Sequence, residues 1–307
     1  MDNRAIRMPT PPKPSSIKPL RGVRVLSLAL NVPGPATMMR LRAMGATCTK
    51  LEPPAGDPMA RYNPDVFATV HRGVKLLQAD LRTPEGRSVL SRELARSEVL
   101  LTSFRPAALA SLGLGWKALH KEYPGLSQVA IVGAPGERAQ EAGHDLTYMA
   151  EAGLLLSHDM PATLYADMGG ALMAAEAVLG AVLQRHRSGR GIYSEVALSA
   201  AAAWLALPRS WGMTLPDGPV GGGHAGYRIY GCKDGRVAVA ALEPHFAAAL
   251  CKAAGVQASP RNPMMASATH AAIAAFFAGQ TCGQLQALAV AQDIPLRTLA
   301  LKPDSFP

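Results

Sequence analysis

Between residues 22 and 51 the chain reads strand, breaker, helix, strand, with links only a few residues long. The run GVRVLSLA at 22–29 is apolar and β-branched and opens on a glycine, as a buried strand does. NVPGP at 31–35 interrupts it. Residues 36–44 then carry a helical pattern that stops at Gly45, and 47–51 forms a second strand before the turn at 53–57. Strands joined through a helix by such short links pair in parallel. The pattern recurs: strand at 76–80, helix at 83–96 with Pro84 in its first turn, strand at 99–102, helix at 106–112 ended by Gly113, strand at 127–132. Residues 19–135 therefore predict an α/β fold, a Rossmann-like open parallel sheet with helices on its faces. Ligands in such sheets gather beyond the carboxyl ends of the strands.

The texture changes after residue 140. An alanine-rich helix is expected at 170–187 and another at 194–204. Residues 227–230 and 236–240 predict a hairpin around Lys233-Asp234-Gly235, with helices at 244–253 and 270–278. The expected organisation is a flexible N-terminal arm at 1–18, an α/β domain with a long linker helix at 19–189, and a smaller α+β domain at 190–278. The C-terminal segment at 279–307 is expected to return to the first domain. The arm holds Pro9, Pro11, Pro12 and Pro14 and no apolar run follows its basic residues, which excludes a signal peptide.

Composition narrows the function classes. With 307 residues, 49% hydrophobic and 17% charged, the chain can bury a sizeable core. The net charge of +9 requires an anionic partner or a solvated basic surface. Aromatics are only 5% and no Lys/Arg run is long, so nucleic acid is not the expected partner, whereas a small polyphosphate fits. Apolar stretches such as 197–207 fall short of the roughly 20 residues of a membrane span. Cys48, Cys232, Cys251 and Cys282 are scattered without a CxxC pair, so no metal site is expected, and the thiols read as reduced in a cytoplasmic protein. GGGHAG at 221–226 matches the dinucleotide fingerprint in letters only, because a proline-rich loop precedes it and a strand follows; it reads as a loop. The P-loop, HExxH and GxSxG signatures do not occur.

Three acid–base residues stand in apolar or glycine-rich settings: His144 in AGHDLTYMAEAGLL, Asp167 in LYADMGGALMAAEAVLGA, and Glu243 in VAVAALEPHFAAAL. Each has a bland reading. His144 fits a satisfied core histidine. Asp167, just ahead of Gly169-Gly170 and a helix, fits an N-cap. Glu243-Pro244 fits a helix start. Singly, none carries a functional claim.

In order and in register, eight blocks resemble the family III CoA-transferases, the CaiB/BaiF family, over residues 20–301. They are LRGVRVLSLA…GPATMMRLRAMGA, TKLEPPAGDP, RGVKLLQADLRTPEGR, LLTSFRPAALASLGLG, AGHDLTYMAEAGLL, YADMGGALMAAEAVLGAV, SGRGIYSEVALSAA and YGCKDGRVAVAALEPHF. The resemblance implies an interlocked homodimer, a CoA-binding first domain, and coenzyme A as part of an acyl-CoA substrate with no permanently bound cofactor. Within the family the GHD at 143–145 and the Glu243-Pro244 pair are most similar to the alpha-methylacyl-CoA racemases. There the positions matching His144 and Asp167 are the two bases, and Glu243 would orient His144. Inverting a carbon beside a thioester needs one group to remove a proton and another, on the opposite face, to return one. Backbone N–H groups near Gly169 would hold the enolate oxygen between the steps. The alternative the resemblance implies is CoA transfer between carboxylic acids, with Asp167 as the nucleophile; a second alternative is a CoA-binding paralogue without catalysis. Arg72, Lys75 and Arg105 are the candidate contacts to CoA, each with a solvated surface charge as its bland reading. The chain departs from its relatives in a shortened loop after the strand at 127–132, GAPGERAQ, a shortened stretch between His144 and Asp167, and an abbreviated tail after Pro244. The first departure puts closure over a substrate in question.

Overall fold

The computed structural model describes residues 17–256 and 263–300, the side chains of Pro263 and Ala300 excepted. Most of the expected N-terminal arm, residues 1–16, lies outside the described residues. The chain divides into two compact units, 1–206 and 207–307.

The first unit runs β1 (Arg24–Ser27), α1 (Pro33–Ala43), β2 (Thr47–Glu52), α2 (Met59–Tyr62), α3 (Pro64–Val70), β3 (Lys75–Gln78), α4 (Pro84–Leu94), β4 (Val99–Thr102), α5 (Pro106–Ser111), α6 (Trp116–Glu122) and β5 (Ser127–Val132). It ends with α7 (Asp145–Glu151), α8 (Tyr165–Ser188), β6 (Tyr193–Ala197) and α9 (Leu198–Leu205). The six strands form one sheet in the order β3-β2-β1-β4-β5-β6, every neighbouring pair parallel. Residues of β4 and β5 are buried throughout, as central strands covered on both faces must be. One face packs on α1, α8 and α9 through residues such as Met38, Ala174 and Val178; the other packs on α4, α5 and α6 through Leu90, Leu109 and Leu119. Helix α8 approaches α9 closely because Gly170 carries no side chain: a Cβ there would stand 2.3 Å from Leu198 Cδ2.

Four expectations need correction, three of them in this unit. Residues 193–197 are strand rather than the start of a helix: YSEVA pairs in parallel with β5 from Gln128↔Tyr193 to Val132↔Ala197. The open edge of β5 has unpaired backbone groups to satisfy, and this outweighs a local pattern that is compatible with helix. The boundary between units therefore falls at 206/207 instead of 189/190. Helix α8 also starts five residues earlier than expected, at Tyr165, which moves Asp167 inside its first turn. By length and composition α8 is long and apolar enough to cross a membrane, which the apolar stretches picked from sequence were not. Its buried stripe from Ala166 to Val182 lies in the core of the first unit, and basic residues fill its last turn.

The second unit contains α10 (Leu207–Ser210), β7 (Tyr227–Cys232), β8 (Gly235–Ala240), α11 (Pro244–Ala253), α12 (Ser267–Ala278), α13 (Cys282–Gln292) and β9 (Leu296–Ala300). Its antiparallel sheet has the order β7-β8-β9. Because β9 pairs with β8 from Gly235↔Ala300 to Val239↔Leu296, residues 282–300 complete this unit and do not return to the first. Phe277, Leu250, Ile273 and Val237 are fully buried at its centre, with the Tyr230 and Phe277 rings 5.2 Å apart. The GGGHAG segment is loop leading into β7, as expected.

Candidate active site

The links that leave β1, β4 and β5 at their carboxyl ends meet the first turns of α7 and α8 around a cleft of about 280 Å³. His144, Asp167, Tyr148, Arg105, Asn31 and Glu141 are among its lining residues.

His144 is the N-cap residue of α7. Its backbone is held by Thr147: the His144 N–H donates to Thr147 Oγ1 at 3.0 Å, and that hydroxyl donates to the His144 carbonyl at 2.7 Å. The imidazole is exposed and lines the cleft; it is not a core histidine.

Asp167 is not the N-cap of α8. That position is Leu164, whose side chain offers no acceptor. The missing acceptor comes from another helix: the Asp167 N–H donates to Asp145 Oδ1 at 2.9 Å, and Asp145 is buried. A helix leaves its first N–H groups without internal partners, and a carboxylate there is also favoured by the helix dipole. Asp145 meets that need and leaves the Asp167 side chain free for the cleft. Burial pushes the Asp167 carboxyl up to about 6; the negative charge of Asp145 adds to the rise and His144 opposes it. Sequence reasoning missed Asp145, though its signal was present as the third letter of GHD.

Tyr148 is buried at the base of the cleft, and burial followed by the Asp167 charge raises its phenol above the ordinary value. Its hydroxyl fits because two neighbours are glycines. A Cβ on Gly133 would lie 2.2 Å from Tyr148 Oη, and one on Gly143 2.6 Å from it. Gly169 has a different role from the one the sequence suggested. It is the fifth residue of α8, and the Met168 N–H before it already bonds to the Leu164 carbonyl at 3.0 Å, so Gly169 lies past the open N–H groups. A Cβ at Gly169 would meet Leu205 Cδ1 at 3.2 Å; the glycine serves helix contact. Tyr165 and Ala166 carry the first-turn N–H groups of α8.

The loop after β5 is tied down by ion pairs and a backbone hydrogen bond. Gly136–Gln140 forms a 3₁₀ turn, and Arg138 bonds to both carboxylate oxygens of Glu151 at 2.6 and 3.2 Å and to Glu141 at 3.0 Å. The Gly136 N–H donates to Glu195 Oε1 at 3.0 Å. The loop is thereby tied to α7 and β6, and its Ala139 forms part of the cleft wall.

On the other flank, Asn31 adopts a left-handed backbone with φ of 62°. Its N–H donates to both oxygens of Asp57 at 3.2 and 3.1 Å. Asp57 is itself held by the ammonium of Lys50, which is fully buried. The same ammonium reaches Glu52 Oε1 at 3.2 Å and His71 Nε2 at 3.0 Å. Because His71 Nδ1 donates to the Phe67 carbonyl at 2.8 Å, its Nε2 is the acceptor and the ring is neutral. Burial, then Lys50, hold the His71 pKa below its ordinary value. Glu52, Asp57 and His71 are spaced like metal ligands, but the Lys50 ammonium already occupies their centre.

Of the three basic candidates, the structure brings only Arg105 to the cleft, as the residue preceding α5. Arg72 and Lys75 are exposed at the amino end of β3, whereas the cleft lies beyond carboxyl ends. Lys75 pairs with Glu93 at 3.4 Å, and the Arg72 carbonyl accepts from Arg42. A second recess of about 200 Å³ opens beyond the carboxyl ends of β1, β2 and β3. It shares Phe104 with the first cleft, and Arg82, largely exposed and paired with Asp80 at 3.0 Å, stands at its edge. Arg82 was missed, although it follows a predicted strand at its carboxyl end. Glu243 lies in the second unit, exposed, preceding α11 with Pro244 at the first helical position. This matches its helix-start reading.

A parallel α/β domain whose carboxyl edge carries a histidine and a carboxyl group with a raised pKa has the layout of an enzyme that moves protons or acyl groups on a ligand held at that edge. The chain belongs to CoA-transferase family III, whose model matches residues 20–301. It is 32% identical over 256 residues to human alpha-methylacyl-CoA racemase, covering 78% of this chain and 65% of that one. It is 35% identical over 191 residues to succinyl-CoA–D-citramalate CoA-transferase of Chloroflexus aurantiacus, covering 57% of this chain and 48% of that one. The chain thus spans about two-thirds of the human racemase and about half of the transferase. In fold it is similar to a hypothetical protein of Mycobacterium tuberculosis, with a TM-score of 0.79 at 23% identity, covering 94% and 93% of the two chains. A CaiB/BaiF family protein of Brucella suis gives a TM-score of 0.77 at 22% identity, covering 92% and 84%.

Proposed function

We propose that the chain acts on acyl-CoA thioesters as a racemase of the alpha-methylacyl-CoA type. The observation that carries this reading is that the His144 ring and the Asp167 carboxylate line one cleft at the carboxyl edge of the sheet. One group removes the proton from the carbon beside the thioester carbonyl. The electron pair moves onto the carbonyl oxygen, and the other group returns a proton from the opposite face, so substrate and product differ only in configuration. A carboxyl group near pKa 6 is present in both protonation states close to neutrality, which a reversible proton relay requires. The first-turn N–H groups of Tyr165 and Ala166 and the dipole of α8 favour the enolate oxygen.

Support for CoA comes from two neighbouring recesses that share Phe104 in their walls. The smaller one accepts the nucleotide end, with Arg82 at its edge, and Arg105 faces the chain that carries the thioester into the cleft. Arg72 and Lys75, at the other end of β3, are secondary candidates. Glu243 is proposed to orient His144, and the protein to be a cytoplasmic homodimer without a permanently bound cofactor. Sedimentation of the purified chain tests the dimer.

The test of racemisation is hydrogen–deuterium exchange at the α-carbon of a 2-methylacyl-CoA in heavy water. Exchange lost in both His144→Ala and Asp167→Asn supports the reading; no exchange with any branched acyl-CoA refutes it. CoA transfer through Asp167 is the second reading, favoured by the transferase relatives. It predicts an acyl adduct on Asp167 that hydroxylamine traps, and it is eliminated if transfer survives Asp167→Ala.

A further inference from the structure

The hairpin turn between β7 and β8 is joined to the start of α13 by two backbone contacts. The Lys233 N–H donates to the Gln280 carbonyl at 2.9 Å, and the Cys282 N–H donates to Asp234 Oδ1 at 2.7 Å. Thr281 caps α13 in a reciprocal pair with Gln284, which fixes the backbone on that side. This framework holds the thiols of Cys232 and Cys282, fifty positions apart, with their sulfurs 3.6 Å from each other. Asp234 Oδ1 stands 3.8 Å from the Cys232 sulfur. The three ligand atoms lie within 4.8 Å of one another.

These separations have a meaning in coordination chemistry. Two zinc–sulfur bonds of about 2.3 Å at a tetrahedral angle place the sulfurs about 3.8 Å apart, and a zinc–carboxylate bond of about 2.0–2.2 Å places oxygen about 3.5–3.7 Å from sulfur. The Cys232–Cys282 and Cys232–Asp234 separations match two edges of such a tetrahedron, and the third lies within 4.8 Å, so small side-chain shifts would fit the three atoms to a small thiophilic cation. The Cys282 N–H donates to this same Oδ1 and so holds the carboxylate in place beside the two sulfurs. Burial pushes the Cys282 thiol up to about 12, which disfavours the thiolate in the absence of a cation. A divalent cation removes that obstacle by displacing the thiol proton.

We propose that Cys232, Asp234 and Cys282 form a three-ligand site for a divalent cation of the zinc type, with water in the fourth position. Binding exchanges two thiol protons for the metal and ties the β7–β8 turn to α13 within the second unit. The absence of a CxxC pair hid this site from the sequence, because its ligands meet only after β7, β8 and α13 have assembled.

The test is titration of the full chain, fully reduced and freed of reductant, with Co²⁺ as a spectroscopic probe and Zn²⁺ as competitor. One equivalent of Co²⁺ should give a thiolate-to-cobalt charge-transfer band and tetrahedral d–d bands, both abolished by one equivalent of Zn²⁺, with release of about two protons. Cys232→Ser and Asp234→Asn, both at accessible positions, should each weaken Zn²⁺ binding at least tenfold, while Cys48→Ser and Cys251→Ser leave it unchanged. A spectrum without charge transfer, binding that survives Cys232→Ser, or a reduced protein that takes up no metal overturns the proposal. Loss of both thiols into a disulfide that forms equally well in the presence of Zn²⁺ also overturns it.

Discussion

Two groups of carboxylates and histidine stand at the same edge of the same sheet, built from the same residue types. In one, Lys50 places its ammonium among Asp57, Glu52 and His71, and all four residues are buried. In the other, Asp145 and Asp167 lie against each other with no lysine or arginine between them, and His144 is exposed at a cleft. The first group gathers around one buried ammonium, although Glu52 Oε1 keeps no hydrogen-bond partner, and its output is a fixed backbone at Asn31. The second has used Asp145 on the backbone of α8 and left the Asp167 side chain free for the cleft. A cluster centred on a buried cation positions a wall of the site, and one without a cation carries the groups left for chemistry. The difference comes from a single cation.

The largest expected effect sharpens that contrast on the reactive side. Asp167→Asn should reduce α-proton exchange by about 10³-fold, the scale of losing a positioned acid–base group. The same substitution should make the fold more stable at neutral pH. The Asp167 carboxyl has a folded value of about 6 against 3.8 unperturbed, so its stabilising contribution is complete below 3.8 and is lost as pH rises through 6. Thermal melts of Asp167→Asn should show a gain of about 1–3 kcal/mol above pH 7, shrinking toward pH 4. A variant that is inactive and less stable at pH 7.5 would break the comparison.

On the cation-centred side, Lys50→Met leaves two buried carboxylates without their cation and should destabilise the first unit by about 3–5 kcal/mol, measured by chemical denaturation. His71 gives a smaller effect of opposite pH sign to Asp167. Its pKa is depressed in the folded state, so its contribution is full above ~6.5 and is lost as pH falls below that value, where the unfolded chain takes up the proton. His71→Gln should therefore flatten the acid limb of the stability curve, whereas Asp167→Asn should steepen it. Smaller still is Asp145→Asn, which keeps an acceptor for the Asp167 N–H but removes a like charge. The Asp167 pKa should fall, and the acid limb of the pH–rate profile should shift to lower pH with activity at pH 8 little changed. The smallest change belongs to Arg138→Ala: an unchanged melting temperature, with faster amide exchange confined to the loop that forms the cleft wall.

Much of the first unit was legible from the chain. Short strand–helix–strand links can close only as a parallel sheet, so the pattern from Arg24 to Val132 determined five of the six strands and the edge where a ligand would sit. Asp167 and His144 were legible as a pair through the family's blocks, and both line the cleft. What escaped were relations that depend on free edges and on partners distant in sequence. β6 is strand because β5 offers an edge, and β9 belongs to the second sheet because β8 does. Asp145 caps α8 from a different helix, Lys50 occupies a site that would otherwise resemble a metal centre, and Cys232 meets Cys282 across fifty residues. Local periodicity records which face a segment will bury. It carries no record of which backbone group or charge will be left unpaired when the segments meet, and only the assembled fold decides that.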